Sequence, residues 1–138
     1  MLLAAERSDR FRAAFSIGGD PLFDDPETYA RYGGVPFDAN DATEKLLRSS
    51  APFVRSIQRP TFHFEGGGYP SVGIAQWMER EARKVDVPFR SFAALQADHF
   101  SILAPLTELI AQKILADTGP TSTISFASQE IAALEVAE

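Results

Sequence analysis

His99 is the residue whose type and setting most suggest chemistry in this sequence. It lies in the stretch LQADHFSIL, residues 95–103, and is one of two histidines in the chain. An imidazole with an unperturbed pKa of about 6.5 can take a proton from a hydroxyl and return it to a leaving group at neutral pH. The residues alone leave two interpretations open, a general base or a solvated loop histidine. Adjacent side chains diverge, so Asp98 is predicted to cap or turn the loop rather than to orient His99.

The second histidine, His63, has a different setting. It alternates with Phe62 and Phe64 on a predicted strand that both faces of a sheet would cover, which favours a packed, hydrogen-bonded core histidine. The glycines at 66–68 follow this strand. Their spacing matches neither G-x-G-x-x-G nor a Walker motif, so we interpret them as a flexible active-site rim rather than a phosphate site.

The elements that would position these residues alternate along the chain. Apolar runs predict strands at 11–17, 61–65 and 87–92, and amphipathic spacing predicts helices at 71–84 and 104–115. Shorter helices are expected at 1–7, 26–32 and 41–49, the last with Asp41 as N-cap. This alternation predicts an α/β fold, with about three parallel strands flanked by helices. Catalytic groups gather at the carboxyl ends of such strands, where 18–20, 65–69 and 98–99 would lie.

The chain is expected to hold one domain portion, residues 1–118, followed by a tail at 119–138. The segment from Thr121 onward is predicted to be loosely attached, with a small helix at its end. At 138 residues with 45% hydrophobic residues, the chain suits a single core.

Composition excludes several classes of function. A net charge of −6 and a pI near 4.9 disfavour nucleic-acid and anionic-membrane partners. The absence of cysteine excludes disulfides, thiolate zinc sites and iron–sulfur clusters, and two histidines disfavour a His-rich metal site. No cofactor or metal is therefore predicted. The first residues are too short and too soon charged for a signal peptide, so a cytoplasmic location is expected by default.

The order of the segments RPTFHFEG, VPFRSF and ADHFSILAPLTELIAQKI resembles the C-terminal half of an α/β-hydrolase, particularly the prolyl-oligopeptidase-like and dienelactone-hydrolase-like branches. The likeness spans about residues 1–115, since AAERSDRFRAAFSIGG is similar to the end of the helix after the nucleophile elbow and the strand that follows it. In these families a Pro-Thr-led strand ends in the loop of the catalytic acid, and a D-H-F or similar loop carries the catalytic histidine. The resemblance therefore implies that His99 is catalytic.

Two parts of the family pattern differ in this sequence. The usual aspartate, about four residues after the strand, is absent from EGGGYPSV, and Glu65 is the nearest carboxylate. Glu65 could hold the imidazole as glutamate does in some triads, or could bind only loop amides or water. No G-x-S-x-G occurs, and the resemblance would place that elbow upstream of Met1. Ser16, Ser71 and Ser101 are candidate replacements, but none lies on the required strand-to-helix turn, so each is predicted to be structural.

Two functions are therefore expected. The first is the C-terminal portion of a peptidase-like or esterase-like serine hydrolase, inactive alone and acting on a small-molecule or peptide substrate only when an N-terminal half completes it. The alternative is a non-catalytic α/β-hydrolase-like module for binding or assembly. In the family the strand at 11–17 pairs with the nucleophile strand, so its exposed edge, with Phe11 and Phe15, predicts self-association into a homo-oligomer.

Overall fold

The fold is built on a sheet of three parallel strands in the order β1-β2-β3. The computed structural model describes residues 10–23, 26–30 and 33–134. The strands are β1 (Ala14–Ile17), β2 (Thr61–Gly66) and β3 (Phe89–Ala94). The predicted α/β class and parallel sheet are confirmed, whereas the helix predicted at 1–7 lies outside the described residues.

The strand boundaries follow the pairing with β2. Strand β1 is shorter than the predicted 11–17, because its pairing starts where the Ala14 N–H donates to the Pro60 carbonyl at 2.9 Å. Strand β3 starts after Pro88, which has no N–H to contribute to a ladder. It runs on to Ala94 because Gly66 of β2 extends the register that far.

Five α-helices and one 3₁₀ helix accompany the sheet in the described part of the chain. Asp41 caps the second helix as predicted, since its side chain accepts hydrogen bonds from the N–H groups of Thr43 and Glu44. The 3₁₀ helix was not expected from the sequence. No helix in the described ranges is long and apolar enough to cross a membrane. The helices are α1 (Pro26–Ala30), α2 (Ala42–Arg48), the 3₁₀ helix (Ala51–Ser56), α3 (Pro70–Arg83), α4 (Leu103–Ala116) and α5 (Ser128–Ala132).

Strand β2 lies at the centre of the molecule, and all six of its residues are buried. Its two faces contact different layers, because successive side chains of a strand point in opposite directions. The first face packs against α4 and the C-terminal segment through Phe62, Phe64, Phe92, Ile102, Leu106, Ile110 and Phe126. A second cluster joins α3, the 3₁₀ helix and β3 through Ala51, Val54, Ile57, Met78, Ala82 and Phe89.

Strand β1 is an edge strand of the described sheet, as the sequence predicted. Phe11, just before it, is 41% exposed, in agreement with the expectation. Phe15 is only partly exposed, because its ring stacks on Phe62 and meets Phe126 edge-on at centroid distances of 5.7 and 6.3 Å. The prediction of a freely exposed Phe15 is therefore wrong.

The segment after α4 is part of the core rather than a loosely attached tail. Phe126 is 9% exposed and its ring meets Phe62 and Phe64 edge-on at 5.0 and 4.9 Å. The Lys113 ammonium on α4 also contacts the Glu130 carboxylate of α5 at 2.6 Å. The small C-terminal helix is confirmed as α5, but its attachment was missed because Phe126 is isolated in a polar stretch.

Candidate functional site

Residues from all three strand ends meet at the carboxyl edge of the sheet. Glu65 is the penultimate residue of β2, and His99 lies in the loop between β3 and α4. Gly18 follows β1, and a Cβ built on it would lie 2.5 Å from Cε1 of His99. The predicted grouping of Glu65 and His99 at one edge is therefore observed, and the imidazole lies against the end of β1.

Two glycines make this close approach of loops feasible. A Cβ on Gly66 would lie 2.3 Å from the carbonyl carbon of Asp98, so only glycine lets the histidine loop lie directly against the end of β2. Gly18 has φ of 65°, a conformation that side chains disfavour, and it also faces the ring. The sequence interpretation of residues 66–68 as a flexible rim missed the role of Gly66, which belongs to the strand itself.

Glu65 and His99 form a hydrogen-bonded pair. Nδ1 of His99 lies 3.1 Å from Oε1 of Glu65, whose side chain is 2% exposed. The same oxygen accepts the N–H of Gly66 at 2.9 Å, and Oε2 accepts the hydroxyl of Ser71 at 2.8 Å. Buried polar groups need such partners, and a fully satisfied network holds its members in one arrangement.

The hydrogen-bond donors decide which imidazole nitrogen would act as a base. A carboxylate only accepts hydrogen bonds, so Nδ1 of His99 must donate its hydrogen to Glu65. In a neutral ring Nε2 then carries the free lone pair. Nε2 has no hydrogen-bond partner among the described residues, and the His99 side chain is 30% exposed. This tautomer and exposure suit proton transfer with a group that approaches from outside.

Aromatic rings flank the imidazole. The ring centroid of Tyr69 lies 5.1 Å from that of His99, and Phe100 meets the imidazole edge-on at 5.0 Å. Phe100 is 73% exposed, so its ring adds apolar surface beside the imidazole. The site is thus an imidazole whose Nδ1 faces the buried Glu65 carboxylate and whose ring is bordered by the aromatic rings of Tyr69 and Phe100.

Asp98 turns the loop, as predicted, and makes no hydrogen bond to the imidazole of His99. Its Oδ1 accepts the N–H groups of Phe100 and Ser101 at 2.8 and 2.7 Å. These backbone hydrogen bonds, that from Ser101 first, lower the pKa of Asp98. The hydroxyl of Ser101 in turn accepts the Asp98 N–H at 2.9 Å, so this serine belongs to the turn.

None of the three candidate serines hydrogen-bonds to His99. Ser101 closes the Asp98 turn, and Ser16 lies against His63, with its Oγ 3.3 Å from Nδ1 of that ring. Ser71 donates to Glu65 instead, from the first turn of α3. Its role in holding the carboxylate was missed from the sequence. The sequence signal for this role was the position of Ser71 at the start of α3. This helix follows the loop after Glu65, and its first turn lies against the end of β2.

His63 is a core residue, as the sequence predicted. It is 1% exposed on the central strand, and Ser16 is its partner at Nδ1. Nε2 is buried and has no hydrogen-bond partner among the described residues. Burial lowers the pKa of His63, and the negative charges of Glu65 and Asp20 oppose this shift. Burial therefore favours the neutral form of the His63 ring in the fold.

We expect His63 to make the protein less stable as the pH falls through the ordinary histidine range. Its pKa is lowered in the folded state, so below about pH 6.5 the unfolded chain binds more protons than the folded chain. The free energy of unfolding should therefore decrease from about pH 7.5 towards about pH 5, as urea titrations at each pH would measure. His63→Gln should flatten this slope, whereas an equal slope in that variant would contradict the assignment. His99→Gln is the matched control.

The described residues contain no group of three or more histidine, aspartate or glutamate side chains that could hold a metal ion. No model of a known protein family matches the chain, and no curated protein or solved structure matches it either.

Proposed function

We propose that Glu65 and His99 form the acid–base half of a serine-hydrolase site of the α/β-hydrolase type, which cleaves ester or amide bonds. The observation that supports this most is the contact between Nδ1 of His99 and the buried Glu65 carboxylate, while no other described residue hydrogen-bonds to Nε2. A solvated loop histidine would not require a carboxylate buried to 2% exposure and held by two further donors. The support comes from this geometry together with the order of the strand, acid and histidine segments.

In the proposed reaction, Nε2 of His99 removes the proton of a serine hydroxyl as its oxygen attacks the carbonyl carbon of the substrate. The ring then carries a positive charge, which the Glu65 carboxylate stabilises through the Nδ1 hydrogen bond. The proton passes from Nε2 to the leaving alcohol or amine as its bond to carbon breaks. Water releases the acyl group from the serine by the same two proton transfers.

The serine in this proposal is supplied by a polypeptide segment outside residues 1–138. The sequence has no G-x-S-x-G, and the three serines weighed above all have other partners. Strand β1 is an edge of the described sheet, and the His99 ring lies against Gly18 at the end of that strand. A strand that paired with β1 would therefore end beside Nε2. The proposal covers both small-molecule and peptide substrates.

A fluorophosphonate probe tests the proposal, since it bonds covalently to an activated serine. The gene product that contains this sequence is isolated at its natural length, together with its His99→Ala variant. We expect a single labelled serine outside residues 1–138, with a labelling rate at least about a thousandfold lower in the variant. Mass spectrometry of the labelled peptide identifies the serine.

Leu95→Ala is the matched control, because Leu95 is in the same loop and is 76% exposed. It should label at the rate of the unaltered protein. Labelling that does not depend on His99 would overturn the role of the histidine, and a complete lack of labelling would overturn the hydrolase proposal.

The second candidate function is a non-catalytic module of the same fold that acts in binding or assembly. The open edge of β1 favours it, together with 41% exposed Phe11 beside that edge. Two copies that paired through this edge would join their sheets into one. Sedimentation at a protein concentration of roughly tens of micromolar distinguishes a dimer paired through β1 from a monomer. A dimer that does not dissociate and does not react with the fluorophosphonate would favour the binding module. A monomer that reacts with the fluorophosphonate would exclude pairing through β1.

A further inference from the structure

The ring of Tyr69 lies against the imidazole of His99 and connects the candidate site to the start of α3. The two ring centroids are 5.1 Å apart, and the ring planes are inclined by 37°. Tyr69 directly precedes Pro70, the first residue of α3, and Ser71 follows with its hydroxyl donated to Glu65. The residues on either side of Pro70 therefore contact one member each of the Glu65 and His99 pair.

The backbone restricts where the Tyr69 ring can lie. A residue before a proline is confined to extended conformations, because the proline Cδ collides with its N–H and Cβ in helical ones. Tyr69 has φ of −86° and ψ of 141°, within this extended range. Pro70 has a fixed φ that suits the first position of a helix. The ring is thus carried on a rigid turn, and only the two side-chain torsions of tyrosine remain to place it.

Tyr69 is also the N-cap residue of α3, where a tyrosine does not help the helix. Serine, threonine, aspartate and asparagine are preferred at this position, because their side-chain oxygen accepts an N–H group of the first turn. The Tyr69 side chain makes no such hydrogen bond. The stability of α3 therefore does not account for a tyrosine here, whereas the contact with His99 does.

The imidazole has few other restraints among the described residues. Nδ1 is hydrogen-bonded to Glu65, and a Cβ built on Gly18 would lie 2.5 Å from Cε1. Phe100 also meets the ring, but Phe100 is itself mostly exposed. A single hydrogen bond lets a ring turn about the axis of that bond, and catalytic groups keep their geometry only where packing fixes their rotamers. Tyr69 is the neighbour that can fix the plane of the His99 ring.

We propose that Tyr69 is a positioning residue for His99, and that its ring keeps the imidazole turned with Nδ1 towards Glu65 and Nε2 outward. The effect of Tyr69 on the reaction rests on the proposed hydrolase function, whereas its restraint of the imidazole does not. The aromatic ring supplies the contact, so phenylalanine should replace tyrosine here without loss.

Tyr69→Ser tests this role, because it removes the ring and adds the cap oxygen that tyrosine lacks. Its urea midpoint should be no lower than that of the unaltered protein. In the gene product at its natural length, we expect Tyr69→Ser to react with the fluorophosphonate about 10- to 100-fold more slowly, since a displacement of about 1 Å can cost about 100-fold in rate. Tyr69→Phe should react at the unaltered rate.

Exchange of the His99 Nδ1–H with water measures the restraint without any reaction at a serine. Proton NMR of the same proteins should show this exchange at least about tenfold faster in Tyr69→Ser, because the hydrogen bond to Glu65 opens more often when the ring can turn. Trp77→Ala is the matched control, since Trp77 lies in α3 and is 42% exposed, against 40% for Tyr69. Its exchange and labelling rates should be unaltered.

Equal exchange in Tyr69→Ser and the unaltered protein would overturn the positioning role. Slow labelling of Tyr69→Phe would also overturn it, because the hydroxyl would then be the group that matters. A urea midpoint of Tyr69→Ser below that of the unaltered protein would assign the ring to folding and overturn the proposal as well. Faster exchange in Tyr69→Ser, with no labelling of any form, would support the positioning role and overturn the hydrolase function alone.

Discussion

Replacing Glu65 by glutamine is expected to lower the rate of fluorophosphonate labelling by about 10²- to 10⁴-fold, the range typical of general-base catalysis. The glutamine oxygen would take the place of Oε1, because that position accepts the Gly66 N–H, and the NH₂ group would face the Ser71 hydroxyl. Nδ1 of His99 would therefore keep its hydrogen. The imidazolium that forms as Nε2 takes the serine proton would no longer be stabilised by a negative charge.

Nitrogen NMR of the imidazole distinguishes the lost charge from a change of tautomer. The neutral His99 ring should carry its hydrogen on Nδ1 both in the unaltered protein and in Glu65→Gln. Glu108→Gln is the control, because Glu108 is an exposed glutamate of α4 whose side chain accepts a hydrogen bond from Gln112 and none from His99. A ring hydrogen on Nε2 in the unaltered protein, or labelling of Glu65→Gln at the original rate, would contradict the role of Glu65. A much lower urea midpoint would instead assign the loss to folding.

Replacing Phe126 by alanine is expected to destabilise the fold by about 3–5 kcal/mol, the usual loss for a buried phenylalanine. Its ring packs edge-on against Phe62, Phe64 and Phe92 at centroid distances of 5.0, 4.9 and 6.1 Å. The substitution would leave a cavity on one face of the central strand. The free energy of unfolding from urea titration measures the change.

Ser125→Ala is the control for this prediction, because Ser125 is the exposed neighbour of Phe126. Its free energy of unfolding should stay within about 0.5 kcal/mol of the unaltered value. A loss below about 1 kcal/mol in Phe126→Ala would show that the segment after α4 is only loosely attached in solution.

The local elements of this protein were predictable because their signals are carried by neighbouring residues. Alternating apolar runs and amphipathic segments indicate the parallel sheet and helices α3 and α4, since burial selects these periods. Asp41 and Asp98 were placed correctly for the same reason, as an N-cap and a turn residue use only nearby backbone N–H groups. The sequence also nominates Glu65 and His99, which end up 3.1 Å apart at Oε1 and Nδ1.

The parts that could not be predicted depend on residues that are distant in sequence. Ser71 was interpreted as structural, but only the return of α3 to the end of β2 shows that it holds the Glu65 carboxylate. The need for glycine at Gly66 appears only when the histidine loop lies against it.

The amino-acid sequence by itself determined the α/β class, the central buried strand and the candidate acid and base of this protein. The tertiary structure decided the tautomer implied for His99 and the attachment of Phe126 to the core. These features arise where separate segments approach one another. Their contacts depend on the geometry of the packed layers, which no local periodicity encodes.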